Sequence, residues 1–489
     1  MSDTPENKGL TKAVIRGTLW VYAANYSGKA LVFLSTVILA RLLTKADYGL
    51  AGYALLIISF LDVLVDLGVA AALIYYPDDE KTRSTAFWLN LGTATILFGL
   101  TWVLAPFAGD FFNDARAVPL TRAIAWTFPI SALGNIHAAL LTKHLTFKLK
   151  FIPDVSKAFG KGIISIVLAW FGFGAWALVL GQVGVTAVAV IAYWLVMPWR
   201  PKLAFKTDEV RPLLNFGVNI VTVDALGTLL NNVDYLFIGR VMGAEALGVY
   251  TLAFRIPELL VKSLLNLLGN VLFPTYSKIR DNPAKLKQGF LVAMRSITIL
   301  TTPIALGLAV ISRPLVITLF TEKWIEAVPV MSAIALYTLI RALTFNIGSL
   351  YKAQGRPDIL TKLSLIKIPI LVPAIWWAVS GPGTIIAVAW VQVAVALIAG
   401  VMNLVVATYM LRTSFREMLA AFQPALLAGA VMMAVVWAGL NLLESAAPIV
   451  QLVVGVLLGA LVYGGLMWWF QREFVLRASS SLRAAFNRG

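Results

Sequence analysis

The sequence predicts an all-α polytopic membrane protein of about fourteen transmembrane helices, built as two six-helix pseudo-repeat halves plus two extra C-terminal helices around a central cavity. Three observations carry this. Apolar residues make up 60% of the 489 and charged residues only 13%, with a mean hydropathy of +0.84, far from the balance of a soluble domain. The apolar residues come in runs such as ALVFLSTVILA (30–40) and LLAGAVMMAVVWAGL (426–440), which belong to segments long enough to cross ~30 Å of hydrocarbon as helices. A short pattern, ARLLTKADYGLAGYA (40–54), returns as GRVMGAEALGVYTLA (239–253). The weak alternation of an outer-membrane barrel is absent.

Taken in chain order, residues 1–17 form a polar N-terminus, where Asp3, Glu6 and the lack of a short apolar run with a cleavage pattern argue for a retained first helix. Breaks at charged, Gly and Pro residues then separate apolar spans at 18–40, 48–76, 85–108, 120–141, 152–173 and 175–197. The expected N-terminal half is 18–198, followed by a cytoplasmic linker at 199–211. The second half, 212–411, holds spans at 212–239, 246–273, 290–312, 326–351, 361–380 and 384–411. Spans at 419–441 and 449–470 form the added pair within 412–470, and 471–489 is a basic tail suited to an anionic leaflet.

Orientation follows from the cations. Of forty Lys and Arg, twenty-eight fall in connections on one side, including Lys143, Lys148, Lys150, Lys157 and the clusters 200–211 and 278–295, against seven on the other, so both termini are expected in the cytoplasm. The net charge of +16 is therefore a topology signal; spread over many short segments, it does not form a nucleic-acid surface. With no cysteine and only His137 and His144 as imidazoles, metal and thiol chemistry are not expected. No connection is long enough for an extramembrane catalytic domain, so no enzyme is expected.

The recurring pattern has a fixed offset of 199 residues, which pairs Gly28 with Gly227, Arg41 with Arg240, Gly49 with Gly248 and Ala54 with Ala253. Each copy closes the first span of a six-helix set, turns outside the membrane and opens the second. Two same-facing halves with a site between them, exposed alternately to each side, are a transporter plan. The competing account is that any membrane helix end tends to carry Arg and Gly.

Around the repeat, NNVDYLFIGRVMGAEALGVYTLAFRIPE (231–258), NVLFPTYSKIR (270–280), LFTEKWIEAVPVM (319–331), YKAQGRPDIL (351–360) and FGFGAWALVLGQ (171–182) together resemble Wzx-like polysaccharide/O-antigen flippases. These form the polysaccharide-transporter branch of the multidrug/oligosaccharidyl-lipid/polysaccharide exporter superfamily. The resemblance runs over essentially the whole chain. It implies translocation of undecaprenyl-pyrophosphate-linked oligosaccharide repeat units across the bacterial inner membrane for lipopolysaccharide or exopolysaccharide synthesis. Membrane lipids, and a polymerase and other assembly proteins, are the partners it implies; no cofactor is implied beyond coupling to Na⁺ or H⁺. Two other readings stand beside it: a cation-coupled multidrug antiporter on the same superfamily fold, and a membrane polysaccharide polymerase.

Charged residues inside spans name the candidate site. A charge at a lipid-facing helix centre costs about 2.5–3.5 kcal/mol on the insertion scale, so Lys29, Lys161, Arg255, Lys262 and Arg341 should face protein or water. Arg255, Glu258, Lys262, Asn266 and Asn270 step by three and four down one helix face. Tyr337, Arg341, Thr344 and Gly348 draw a second stripe, and Asp154, Lys157, Lys161 and Ser165 a third. In the functional reading Lys29, Arg255, Lys262 and Arg341 neutralise the pyrophosphate and order the sugar. In the other they are internal ion pairs, Lys29 with Asp62 or Asp66, Arg255 or Lys262 with Glu258, and Lys161 with Asp154. Asp62, Asp66, Asp224 and Glu258 are candidates for coupling or counter-ion roles; Asp234 reads as a counter-ion or cap near the outer end. Trp20, Trp88, Trp199, Trp324, Trp468 and Trp469 lie near span ends and read as interfacial anchors. Pro129, Pro153, Pro257, Pro303, Pro369 and Pro373 are candidate kinks.

Overall fold

The computed structural model describes residues 28–65, 69, 73, 79–144 and 146–487, and its described residues hold helices, turns and no strand. Helix α1 covers 28–42. It is followed by α2 (Lys45–Val65), α3 (Glu80–Phe112), α4 (Ala117–Ala125), α5 (Thr127–Lys143), α6 (Phe147–Trp170), α7 (Ala175–Val196) and α8 (Thr207–Ile279). Then come α9 (Pro283–Phe320), α10 (Ala327–Leu343), α11 (Phe345–Ala353), α12 (Asp358–Ser380), α13 (Ile385–Leu411), α14 (Phe415–Leu442) and α15 (Pro448–Asn487). Helix α8 is broken at Gly243, whose φ of 82° and ψ of −175° separate the two spans expected there.

Eleven stretches among the described residues are long and apolar enough to cross a membrane, which makes the chain a multi-pass membrane protein. The difference from about fourteen has identifiable causes. The stretch Asp224–Ile279 counts once although Gly243 divides it, the described part of the first span is short, and α6 carries Asp154, Lys157 and Lys161 along its apolar length. Span 1 before residue 28, with Tyr22, Asn25 and Tyr26, and the acidic residue Asp66 lie outside the described residues.

The chain divides into two compact units, Met1–Gly248 and Val249–Gly489. In the first, the two copies of the repeated pattern meet. A Cβ on Gly49 would stand 1.7 Å from the Ala244 carbonyl oxygen, and one on Gly248 would stand 2.0 Å from that of Lys45. The 199-residue offset pairs Lys45 with Ala244 and Gly49 with Gly248, so the contact is reciprocal: each glycine admits the backbone four residues before the other. Small residues let helix backbones approach this closely where lipid supplies no hydrophobic drive.

Polar contacts secure the same end of the unit. Thr44 and Asp47 form a capping box at the start of α2: Thr44 N donates to Asp47 Oδ2 at 2.9 Å and Asp47 N donates to Thr44 Oγ1 at 3.1 Å. The other carboxylate oxygen, Oδ1, accepts from Ala175 N at 2.9 Å and so caps α7 as well. Gly174, with φ of 52°, leaves room for it, since a Cβ there would lie 2.7 Å from that oxygen. Tyr53 Oη donates to Gly239 O at 3.3 Å. Arg240 Nη1 donates to Asp110 O at 2.7 Å, Phe111 O at 2.5 Å and Asn113 Oδ1 at 2.9 Å, closing the carbonyl end of α3.

At the opposite end of α3 the linker is strapped down. Lys202 N donates to Ser84 Oγ at 3.2 Å, Lys206 N to Thr85 Oγ1 at 2.9 Å, and Trp88 Nε1 to Lys202 O at 2.9 Å. Lys206 also pairs with Asp79 at 3.0 Å and Lys202 with Glu80 at 2.9 Å.

The second unit is organised on α9, which starts with Asn282 as cap and Pro283 in the first turn. Tyr276, Phe290, Met294, Leu350, Tyr351 and Met418 share its inner core. Asn346 Nδ2 donates to Phe290 O at 3.4 Å, Tyr351 Oη to Asn403 O at 3.1 Å, and Tyr463 Oη to Ile299 O at 2.9 Å. Trp324, expected as an interfacial anchor, is instead fully buried in this unit. Its place in a 3-10 turn right after α9 turns the ring inward.

Gly49→Val should lower the melting temperature of the purified protein sharply. Here backbone, not a flexible side chain, must move, which puts the cost at the upper end of the ~1–3 kcal/mol of overpacking. Gly92→Ala, in open space on α3, should leave stability unchanged or raise it by ~0.5–1 kcal/mol. Equal melting temperatures for Gly49→Val and the parent would refute the close-approach role.

A second test concerns pH. The Lys206 hydrogen bond holds the Asp79 carboxyl below its usual range, so the bridge stabilises the fold above about pH 4 and is lost as the pH falls through the lowered value. Asp79→Asn keeps the helix cap and removes the charge. Its stability deficit should be constant from pH 5 to 8 and vanish at the acid end; a deficit that persists there would show that the charge is not the cause.

Candidate functional site

The first unit contains a polar cavity of about 660 Å³, within the ~300–1,000 Å³ usual for small-ligand sites. Four helices build it: Asp62 comes from α2, Ser131, Asn135 and Thr142 from α5, Lys150, Lys157 and Lys161 from α6, and Gln182 and Thr186 from α7. Positions 150, 157 and 161 share one face of α6 by the 3.6-residue period. At 1.5 Å per residue they climb about 16 Å, roughly half the hydrocarbon thickness. Ile58, Val65, Ala138, Ala139 and Val185 supply the apolar part of the wall.

The cations are held rather than loose. Lys150 Nζ donates to Thr142 Oγ1 at 3.0 Å, and Lys157 lies 5.2 Å from the centre of the Tyr193 ring. Tyr193 Oη in turn donates to Asp154 Oδ1 at 3.3 Å, so the acid expected to pair with Lys161 is engaged by a tyrosine. Asp62 is exposed in the cavity and lies in the field of Lys157. Among the described lining residues three lysines face one aspartate, a cationic balance that suits an anion.

The other predicted residues are placed as follows. Lys29 is half-buried on α1, and Asp224 is exposed on α8. Arg255, Lys262 and Asn266 are exposed on one face of α8, as their spacing implies, while the side chain of Asn270 lies outside the described residues. Lys262 pairs with Glu258 at 2.6 Å, which is the ion pair that the spacing allowed. Arg255 makes no hydrogen bond or ion pair among the described residues. Arg341, exposed in the last turn of α10, donates from Nη1 to Tyr337 Oη at 3.1 Å with its guanidinium carbon 5.5 Å from that ring. Glu258 is the acid whose field reaches it. Asp234 is 1% exposed, the one carboxylate among the fully buried described residues.

Lys150 is the site residue that sequence reasoning did not single out: it was counted with the cytoplasmic connection after span 4, because the apolar run starts only at 152. Lys157 was counted there too, but was also placed with Lys161 on the polar stripe of span 5. The available signal was the seven- and four-residue spacing to Lys161. No group of three or more His, Asp or Glu side chains suited to a metal occurs among the described residues.

The comparisons agree with this architecture. A family profile described as "Polysaccharide biosynthesis protein" matches residues 38–329. The teichuronic acid biosynthesis protein TuaB of Bacillus subtilis is 28% identical over 393 residues, 80% of this chain and 81% of that protein. The lipopolysaccharide biosynthesis protein WzxC of Escherichia coli is 29% identical over 369 residues, 75% of each chain, and the succinoglycan biosynthesis transport protein ExoT of Rhizobium meliloti is 26% identical over 66% of each. Among solved structures, the lipid II flippase MurJ in an inward closed conformation superposes with a TM-score of 0.77 at 14% identity, covering 94% of this chain and all of that one. An inward-facing multidrug MATE transporter of the multidrug/oligosaccharidyl-lipid/polysaccharide superfamily gives 0.65 at 14%, over 78% and 94%. These likenesses establish the fold; ExoT, MurJ and the MATE protein carry the names of a transport protein, a flippase and a transporter, and TuaB and WzxC those of biosynthesis proteins. The chain belongs to the family that this profile describes, the polysaccharide biosynthesis proteins, as the resemblance in its sequence anticipated.

Proposed function

We propose that the protein is a flippase that carries undecaprenyl-pyrophosphate-linked oligosaccharide repeat units from the cytoplasmic to the periplasmic leaflet of the inner membrane by alternating access, with both termini in the cytoplasm. The observation that carries the reading is the cationic cavity: Lys150, Lys157 and Lys161 rise from the expected cytoplasmic end of α6 toward its middle. An anion enters a low-dielectric passage only where charge compensates for its lost hydration. Lysines at successive depths supply that compensation along a path rather than at one point. In the second unit, Arg341 and Arg255 are proposed pyrophosphate donors in their own right, Arg341 with a planar fork suited to phosphate oxygens. Lys29 and Lys262 remain members of the proposed set, with Lys262 sharing its charge with Glu258.

Asp62 supports ion coupling within the same reading. A carboxylate held in a membrane cavity can bind H⁺ or Na⁺ and so couple transport to a gradient. Asp66 and Asp224 are proposed in the same supporting role. The antiporter alternative shares the fold, but three lysines against one aspartate disfavour a cationic drug in this cavity. A polymerase has no counterpart among the relatives compared.

Arg341→Ala and Arg255→Ala should insert at normal levels and abolish surface-polymer export, and Arg341→Lys should restore part of it. Export at the parental rate by Arg341→Ala would remove that residue from the pyrophosphate site. Lys157→Ala and Lys161→Ala should each lower export by about tenfold or more, the loss of one charge-assisted contact.

The cysteine-free chain allows a direct test of access. Ser131→Cys should react with a small charged thiol reagent, whereas Ala86→Cys, fully buried, should not. Lys285→Cys should label only from the cytoplasm; labelling from the periplasm overturns the orientation, and an unreactive Ser131→Cys overturns the cavity.

A further inference from the structure

A second cavity of the first unit, about 470 Å³ in volume, lies between α3, α4 and α7. Trp102, Trp126 and Trp176 form its walls, Leu180 and Val183 its apolar floor, and Arg122 its single charge. It shares no lining residue with the lysine cavity. Trp102, Trp126 and Trp176 are each more than a third exposed, and Phe98 braces two of them, with ring centres 5.6 Å from Trp102 and 4.6 Å from Trp126.

Its donors lack acceptors. Arg122 Nε donates to Trp102 O at 3.3 Å, and the guanidinium carbon lies 5.6 Å from the Trp102 ring. The two Nη groups make no hydrogen bond or ion pair among the described residues, and none of the three indole Nε1 donates to a protein group there. A guanidinium fork and three indole N–H groups thus surround an apolar hollow with no carboxylate to answer them. Arg122 sits five residues into α4, which follows the turn after α3, on the side away from the cation-rich connections and so expected in the periplasm. Tryptophan prefers that depth, where its ring meets acyl chains and its N–H meets head groups.

We infer that this cavity is a binding site for an anionic glycerophospholipid of the outer leaflet. Its phosphate diester accepts from Arg122 and from indole N–H groups, and the start of an acyl chain lies on Leu180, Val183 and the Trp176 ring. Charge decides the head group. An anionic glycerol head adds no cation beside Arg122, whereas an ethanolamine head brings an ammonium group to a hollow that has no acid to receive it. The site is independent of the substrate proposed above and stands whether or not that reading holds.

The test is native mass spectrometry of the full-length protein in detergent, titrated separately with phosphatidylglycerol, phosphatidylethanolamine and decaprenyl phosphate. The parent should retain phosphatidylglycerol about tenfold more tightly than phosphatidylethanolamine. Arg122→Gln should lose that preference, and Arg122→Lys should keep part of it. Trp126→Leu, which removes one N–H while leaving the wall apolar, should weaken phosphatidylglycerol binding even if Arg122→Gln proves poorly folded. Equal retention of the two phospholipids by the parent, unchanged retention by both Arg122→Gln and Trp126→Leu, or a preference for decaprenyl phosphate that depends on Arg122 would each overturn the assignment, the last by replacing the occupant with a polyprenyl carrier.

Discussion

The backbone contact at Gly49 and Gly248 sets the geometry on which the rest of the first unit depends. Two helix starts that touch without side chains between them bring α2 against residues 244–248 at a spacing that no added Cβ would allow. Everything polar at that end is cut to this spacing. Asp47 can cap α2 and α7 together only because α2 is held beside Gly174. Arg240 reaches three acceptors at the end of α3 because Tyr53, stacked 4.0 Å from Phe112, ties the same helices through the Gly239 carbonyl. One end of the unit is therefore closed by short contacts, and the lysine cavity lies toward the other.

That division of labour follows from the solvent. In hydrocarbon the burial of apolar side chains yields little, so stability rests on close packing and on satisfied polar groups. The small-residue contact and the helix caps supply both at the closed end. The cavity does the reverse: it keeps Asp62, Lys157 and Lys161 in partial contact with water, at the cost of packing, because charges buried without water or partners are far more expensive. The cation–π approach of Lys157 to Tyr193 and the bond from Lys150 to Thr142 reduce that cost without cancelling the charge.

Much of the fold was legible because its causes are local. Apolar runs and Gly/Pro breaks place a helix at each expected span, and the repeated Gly and Arg positions mark the contact and the cap that they form. The stretches that carried the family resemblance prove to be structural: Gly172 and Gly174 take positive φ, Thr321 and Trp324 turn the chain after α9, and Gly355 closes α11 with φ of 69°. The site was less legible. Lys150 borders an apolar run and reads as a connection, since sequence cannot tell a wet cavity wall from a loop. Trp324 was assigned to the interface because position near a span end does not reveal which way a ring points. The alternatives for Lys262 needed coordinates, since the same i, i+4 spacing that pairs it with Glu258 also lays it on the polar stripe.

On the proposed reading of alternating access, the contacts that hold one end closed must open at modest cost. Interdigitated large side chains would lose many atomic contacts at once on separation and leave apolar pockets behind. Two glycines meeting backbone to backbone lose few, leave no pocket, and expose peptide groups that remain hydrogen-bonded within their own helices. The caps at Asp47 and Arg240 bind helix ends to each other inside the same unit as the glycine contact. In this arrangement the close-packed element is also the one with the least to lose on opening. That gives a physical reason for the chain to place the same glycine twice at the 199-residue offset.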